Sequence, residues 1–167
     1  MKKYIKTLLY GISLLLLSQL SVLGETNFGA AGAGRDSALD LPKMLTYAIQ
    51  DEYLAQAEYQ FIIRSFGEVR PFTNIIKAEK THIDMLKPLF KTYGVMVPAD
   101  TAMDHIIKTN SIKTSLAAGV QAEIDNINMY ELFLKQSLPA DVQDVFKRLL
   151  NASQNHLKAF QKALSRY

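Results

Sequence analysis

The chain has 167 residues, with 49% apolar and 21% charged side chains, enough for one domain with a proper core. It contains no cysteine, which excludes disulfides, thiolate metal sites and cysteine nucleophiles, so any metal must be held by imidazole and carboxylate. The formal net charge of +3 gives no argument for nucleic acid, because Lys2, Lys3 and Lys6 of the N-terminal segment account for all of the excess.

Residues 1–24 read as a secretory signal: a basic start, a mostly apolar run from Leu8 to Leu23, and small residues at Val22 and Gly24 before Glu25. Cleavage there would place the mature protein in the periplasm or outside the cell. The alternative is a retained anchor, since the apolar run is near the lower length for a membrane span. Residues 25–39 are rich in Gly and Ala and read as a flexible linker. Residues 40–167 form the expected domain.

Four helices are expected in that domain. The first spans 41–66, with Asp40 as N-cap, Pro42 near the start and Gly67 after the end. The second spans 71–93, opened by Pro71 and closed by Gly94, with a kink or early fraying at Pro88. The third spans 112–136 and the fourth 140–166, after Pro139. Long β-branched alternating runs are absent, which argues against strands. Short links around 67–70 and 137–139 make two antiparallel hairpins. The long segment 95–111 can cross the length of a bundle and has room for a short helix over 101–108. Two hairpins joined by one long crossover is an all-α, ferritin-like four-helix topology.

Each helix carries an apolar stripe interrupted by polar residues. Glu79 and His82 lie three residues apart among Phe72, Ile75, Ile76, Ile83, Leu86 and Phe90, hence on one helical face. A carboxylate and an imidazole in such a stripe are costly unless compensated, and a metal ion is one compensation. The two halves of the chain also align. Glu52 and Tyr59 map onto Glu123 and Tyr130 at an offset of 71, and Glu79 and His82 map onto Ser153 and His156 at an offset of 74. Glu52, Glu79, His82, Glu123 and His156 are therefore the expected metal ligands. Tyr59 and Tyr130 read either as core aromatics whose hydroxyls find a hydrogen-bond partner, or as tyrosines that contact a ligand or take part in redox chemistry. Ser153 stands where a second Glu-x-x-His would carry its acid. Three carboxylates against two divalent ions leave a net charge of +1, so either one ion or two is compatible with this set. Glu58 and Glu131 are read as solvated, Glu131 pairing with Lys135. His105 has no partner in the pattern.

The segments Glu52-Tyr-Leu-Ala, Phe72-Thr-Asn-Ile-Ile-Lys-Ala-Glu-Lys-Thr-His82 and Leu149-Leu-Asn-Ala-Ser-Gln-Asn-His-Leu-Lys-Ala-Phe160 resemble the ferritin-like proteins grouped as domain of unknown function 2202. The resemblance covers residues 41–167 and implies a ferritin-like bundle with a metal site and no settled reaction. More distantly, the order Glu, Glu-x-x-His, Glu, His resembles rubrerythrins and bacterioferritins, which hold two irons and act on peroxide, dioxygen or iron. It implies the same five ligands, although the cysteine-bound second iron centre of rubrerythrins has no counterpart here.

These observations lead to an extracytoplasmic metal-binding protein, with iron as the first expected cofactor and manganese or zinc fitting the same donors. One function is a non-haem iron oxidoreductase or peroxidase. The alternatives are a metal-holding module without turnover and a metal-free structural or interaction domain. The expected partner is the metal ion. Nucleic acid is not expected, the membrane is met only through the N-terminal segment, and association with further copies is left open.

Overall fold

The computed structural model describes residues 27–167, so the expected signal at 1–24 lies outside the described residues. The described residues are all-helical: α1 (Gly29–Ala33), α2 (Leu41–Phe66), α3 (Phe72–Thr92), α4 (Ile112–Leu134) and α5 (Ala140–Leu164), with one 3-10 turn at Ala102–Asp104 in the crossover. None of these helices is long and apolar enough to cross a membrane.

The boundaries follow local chemistry. The Asp40 side chain accepts the Lys43 backbone N–H at 2.9 Å, which caps α2. Gly67 ends α2 at φ 85°, a conformation that costs glycine little. Ser111 and Thr114 form a reciprocal capping box at the start of α4. The early fraying expected at Pro88 does not occur, since α3 continues to Thr92. Pro88 and Asp84, whose carbonyl loses its helical donor, are both exposed, so water can take the place of the missing bond.

α2 packs on α3 and α4 packs on α5, giving the two hairpins. The other contacts among these four helices join α2 to α4 and α3 to α5. Each neighbouring pair runs antiparallel: along α2 and α4, for instance, Glu52 meets Tyr130 while Tyr59 meets Glu123. Two apolar clusters fill the bundle. One is built around Leu45, Ile49, Leu86, Phe90, Phe133 and Phe146. The other is built around Ile62, Phe72, Ile75, Leu116 and Phe160. Glu52, Glu79, His82, Glu123 and Ser153 are buried along the helices between these clusters.

Residues 27–39 are not the flexible linker expected from their composition. Phe28, Gly29, Gly32 and Ala33 are buried, and α1 lies on α2. The N–H groups of Gly29 and Ala30 donate to Gln50 Oε1 (3.2 Å) and Asp51 Oδ1 (2.8 Å), so side chains of α2 satisfy the open end of a helix too short to stand alone. Gly32 is required by packing, because a Cβ there would lie 2.7 Å from the Tyr47 ring.

Candidate metal centre

Each bundle helix brings one part of the site. α2 carries Glu52, α3 carries Glu79 and His82, α4 carries Glu123, and α5 carries Ser153 and His156. Glu52, Glu79 and Glu123 are 1%, 3% and 3% exposed. All five residues expected as ligands converge on this layer.

Nδ1 of His82 lies 3.0 Å from Glu52 Oε2 and 2.8 Å from Glu79 Oε2. Nδ1 of His156 lies 3.4 Å from Glu79 Oε1 and 3.3 Å from Glu123 Oε1. Glu79 therefore turns one oxygen toward each histidine. The two imidazole rings are stacked with centroids 5.7 Å apart. Two triads result, Glu52–Glu79–His82 and Glu79–Glu123–His156, each offering ligand atoms within 4.8 Å of one another. They share Glu79, so one carboxylate belongs to both groups.

The tyrosines complete the layer. Tyr130 donates to Glu52 Oε1 at 2.8 Å and Tyr59 donates to Glu123 Oε1 at 3.2 Å. Each phenol ring belongs to one of the two apolar clusters and aims its hydroxyl at an acid on the facing helix. Ser153 is buried one turn before His156, at the position matching Glu79.

The electrostatics describe a site holding protons where a cation would fit. Burial pushes the Glu79 carboxyl well above the usual carboxylate range, and His82 only partly offsets this. Burial likewise raises Glu123, against the opposing pull of His156. Burial works to raise Glu52 too, but the hydrogen bond and charge of His82 outweigh it and bring Glu52 below its ordinary value. Burial alone would lower His82; its hydrogen bonds to Glu52 and Glu79 instead raise it to about 10. Glu123 Oε2 is buried with no hydrogen-bond partner. An unpaired carboxylate oxygen inside a cage of acids and imidazoles is satisfied by a cation, and this donor set suits iron, manganese or zinc.

Three features escape the sequence reading. Glu58 is buried, not solvated: the crossover folds over it and the Ile107 N–H donates to its Oε1 at 2.9 Å. Its position at the edge of the α2 stripe was a weak signal, and its partner lies 49 residues away. Glu131 is exposed, as expected. His105 stacks on Phe28 with ring centroids 4.0 Å apart, a contact that depends on the placement of the N-terminal segment. Asn126 is buried one turn after Glu123, and the repeat that revealed Glu123 could have revealed it too.

The family model described as rubrerythrin matches residues 43–164, which spans all four bundle helices and every residue of the layer. The chain is 23% identical over 133 residues to the uncharacterized protein MJ0754 of Methanocaldococcus jannaschii, covering 71% of each chain. The crystal structure of that archaeal protein superposes on this fold with a TM-score of 0.68 at 21% identity, covering 79% of this chain and 85% of the other.

Proposed function

This chain belongs to the rubrerythrin family of ferritin-like proteins, and from that premise we propose that it is an extracytoplasmic non-haem iron protein whose two-ion centre reacts with peroxide or dioxygen. The observation that carries this reading is the shared carboxylate: Glu79 belongs to both triads and faces a different histidine with each oxygen. Glu52 and His82 would complete one ion's protein ligands, and Glu123 and His156 the other's. A ferrous pair held there would supply the two electrons that, with two protons from solvent, reduce a peroxide to two waters. The chain's own residues hold the acids in place through Tyr59 and Tyr130, and they exclude bulk water by the apolar clusters on either side. His82 keeps a proton beside the acids until a metal displaces it. Within the family we place the chain in the group called domain of unknown function 2202, on the strength of Ser153, His156, Leu157 and Phe160 in α5. The extracytoplasmic location rests on the signal-like residues 1–24.

The test is anaerobic loading with iron(II) followed by hydrogen peroxide, with Glu79→Ala alongside. Peroxide consumption and a change in the iron absorption spectrum in the wild type only are expected. A loaded wild type that does neither defeats the oxidoreductase reading.

The depth of the acids favours a second reading, metal holding without turnover, because Glu52 is 1% exposed and offers little approach to a substrate. It predicts tight binding of iron or zinc with no peroxide loss in the same experiment.

A further inference from the structure

On the outer side of α2 and α4, under α1 and the crossover, lies a cavity of about 270 Å³. None of the five expected metal ligands lines it. Its α2 wall reads acid, leucine, acid: Asp51, Leu54 and Glu58, spaced three and four residues apart and so on one helical face. At 1.5 Å of rise per residue the two acids stand about 10 Å apart along the axis. The facing wall on α4 is made of small residues, Ala118 and Ala122. A mostly apolar hollow with a few polar groups at fixed positions is the usual form of a small-molecule site.

The two acids are only half used by the fold. Glu58 is 8% exposed; its Oε1 accepts the Ile107 N–H, and its Oε2 accepts no hydrogen bond among the described residues. Asp51 Oδ1 accepts the Ala30 N–H at 2.8 Å, and Oδ2 is likewise without a donor among the described residues. Neither acid forms an ion pair there, and no Lys or Arg lines the cavity. Burial raises the Glu58 carboxyl above its ordinary value, with the Ile107 N–H alone opposing it. An acid buried with no cation beside it is costly. Two such acids, at the ends of an apolar wall, match a ligand that is positive at both ends and apolar between them.

We propose that this cavity binds a linear alkyl diamine, with one ammonium group on Asp51, the other on Glu58, and the methylenes against Leu54, Ala118 and Ala122. Each ammonium group supplies charge-assisted hydrogen bonds to a carboxylate oxygen that the fold leaves open. A monoamine of the same length satisfies one acid and leaves the other bare. A carboxylate of that length is repelled. The site is separate from the metal layer, so its occupancy does not depend on the metal-binding reading above.

The test titrates the purified protein with cadaverine, a five-carbon diamine, and with pentylamine and pentanoate, by isothermal calorimetry. Cadaverine is expected to bind saturably at one site, about tenfold or more tightly than pentylamine, and pentanoate is expected not to bind. Glu58→Gln keeps an oxygen for the Ile107 N–H and Asp51→Asn keeps one for Ala30, while each removes a charge. Each should weaken cadaverine about tenfold or more and narrow its advantage over pentylamine. Ala122→Phe, which fills the cavity without touching a charge, should abolish binding; if phenylalanine proves too large to fold, the two amide variants decide the matter. Absence of saturable cadaverine binding up to about 10 mM overturns the inference. So does pentylamine binding as tightly as the diamine, or cadaverine binding within about twofold of wild type in both amide variants.

Discussion

Tyr130 on α4 donates a 2.8 Å hydrogen bond to Glu52 on α2, and the bond is buried at both ends. It fixes the carboxylate that serves the triad with His82, and the Tyr59–Glu123 bond does the same for the other triad at 3.2 Å. Tyr130→Phe keeps the ring packed against Phe133 and Phe146 but leaves Glu52 Oε1 without its donor. The variant is expected to lose about 1–3 kcal/mol of metal-free stability, read as a lower urea midpoint at unchanged slope. Tyr59→Phe should behave alike, and the double variant should depart from additivity because both bonds belong to one network. A loss below about 0.5 kcal/mol would show that the hydroxyl does not hold the acid.

Glu79 is the one residue common to both triads. Glu79→Ala should therefore abolish uptake of both ions, whereas Glu52→Ala and Glu123→Ala should each spare the ion of the other triad. Metal content by elemental analysis after loading and desalting checks this. Full occupancy in Glu79→Ala would sink the shared-carboxylate arrangement.

The protons held by the metal-free site residues give a pH dependence of definite sign. The folded chain raises His82 to about 10, so it binds that proton more tightly than the unfolded chain does. The resulting stability is complete below the ordinary histidine value and is lost as pH rises through about 10. Glu79 and Glu123 are also raised and act in the same direction from the carboxylate range upward. Glu52, lowered, works oppositely: its contribution is lost as pH falls through its folded value. The metal-free bundle should lose stability between about pH 6.5 and about pH 10, and metal should remove most of that decline by taking the place of the His82 proton. Metal uptake should accordingly release protons and tighten with rising pH. Urea midpoints with and without metal, and proton release followed with a pH dye, check both statements. A metal affinity flat across that window would contradict them.

Gly119 lies against Phe160 so closely that a Cβ would stand 2.8–3.0 Å from three ring atoms. Phe160 cannot swing aside, because Tyr59 and Phe72 flank it at centroid distances of 5.6 and 5.2 Å. Gly119→Ala should therefore destabilise by about 1–3 kcal/mol, despite the gain of about 1 kcal/mol that alanine brings to a helix interior. A variant more stable than wild type in thermal or urea unfolding would refute this packing argument.

The bundle and its polar layer were legible because both are periodic. Asp40 and Gly67 bound α2 as read from the sequence, and the half-chain repeat located Glu123 and His156 from Glu52 and His82. The features that escaped depend on contacts far along the chain. The short Gly/Ala helix α1 forms because Gln50 and Asp51 accept its first N–H groups, and nothing within Gly29–Ala33 reveals those acceptors. Glu58 reads as solvated because its cover is the crossover, which folds as an irregular segment with one 3-10 turn at Ala102–Asp104, within the stretch that had room for a short helix. Asn126 was within reach, but a stripe read for acids and imidazoles passes over an amide.

The offset between the halves has a consequence of its own. A single helix hairpin pairing with an identical copy could build a two-fold layer of this kind, but symmetry would oblige it to carry the same residue on both sides. Here both hairpins are in one polypeptide, so Glu79 can correspond to Ser153, and Ala55 to Asn126, as independent choices. Covalent linkage thus removes the equivalence of the two ion positions. A substitution can tune one position while its counterpart stays as it was, a freedom denied to any dimer of identical hairpins.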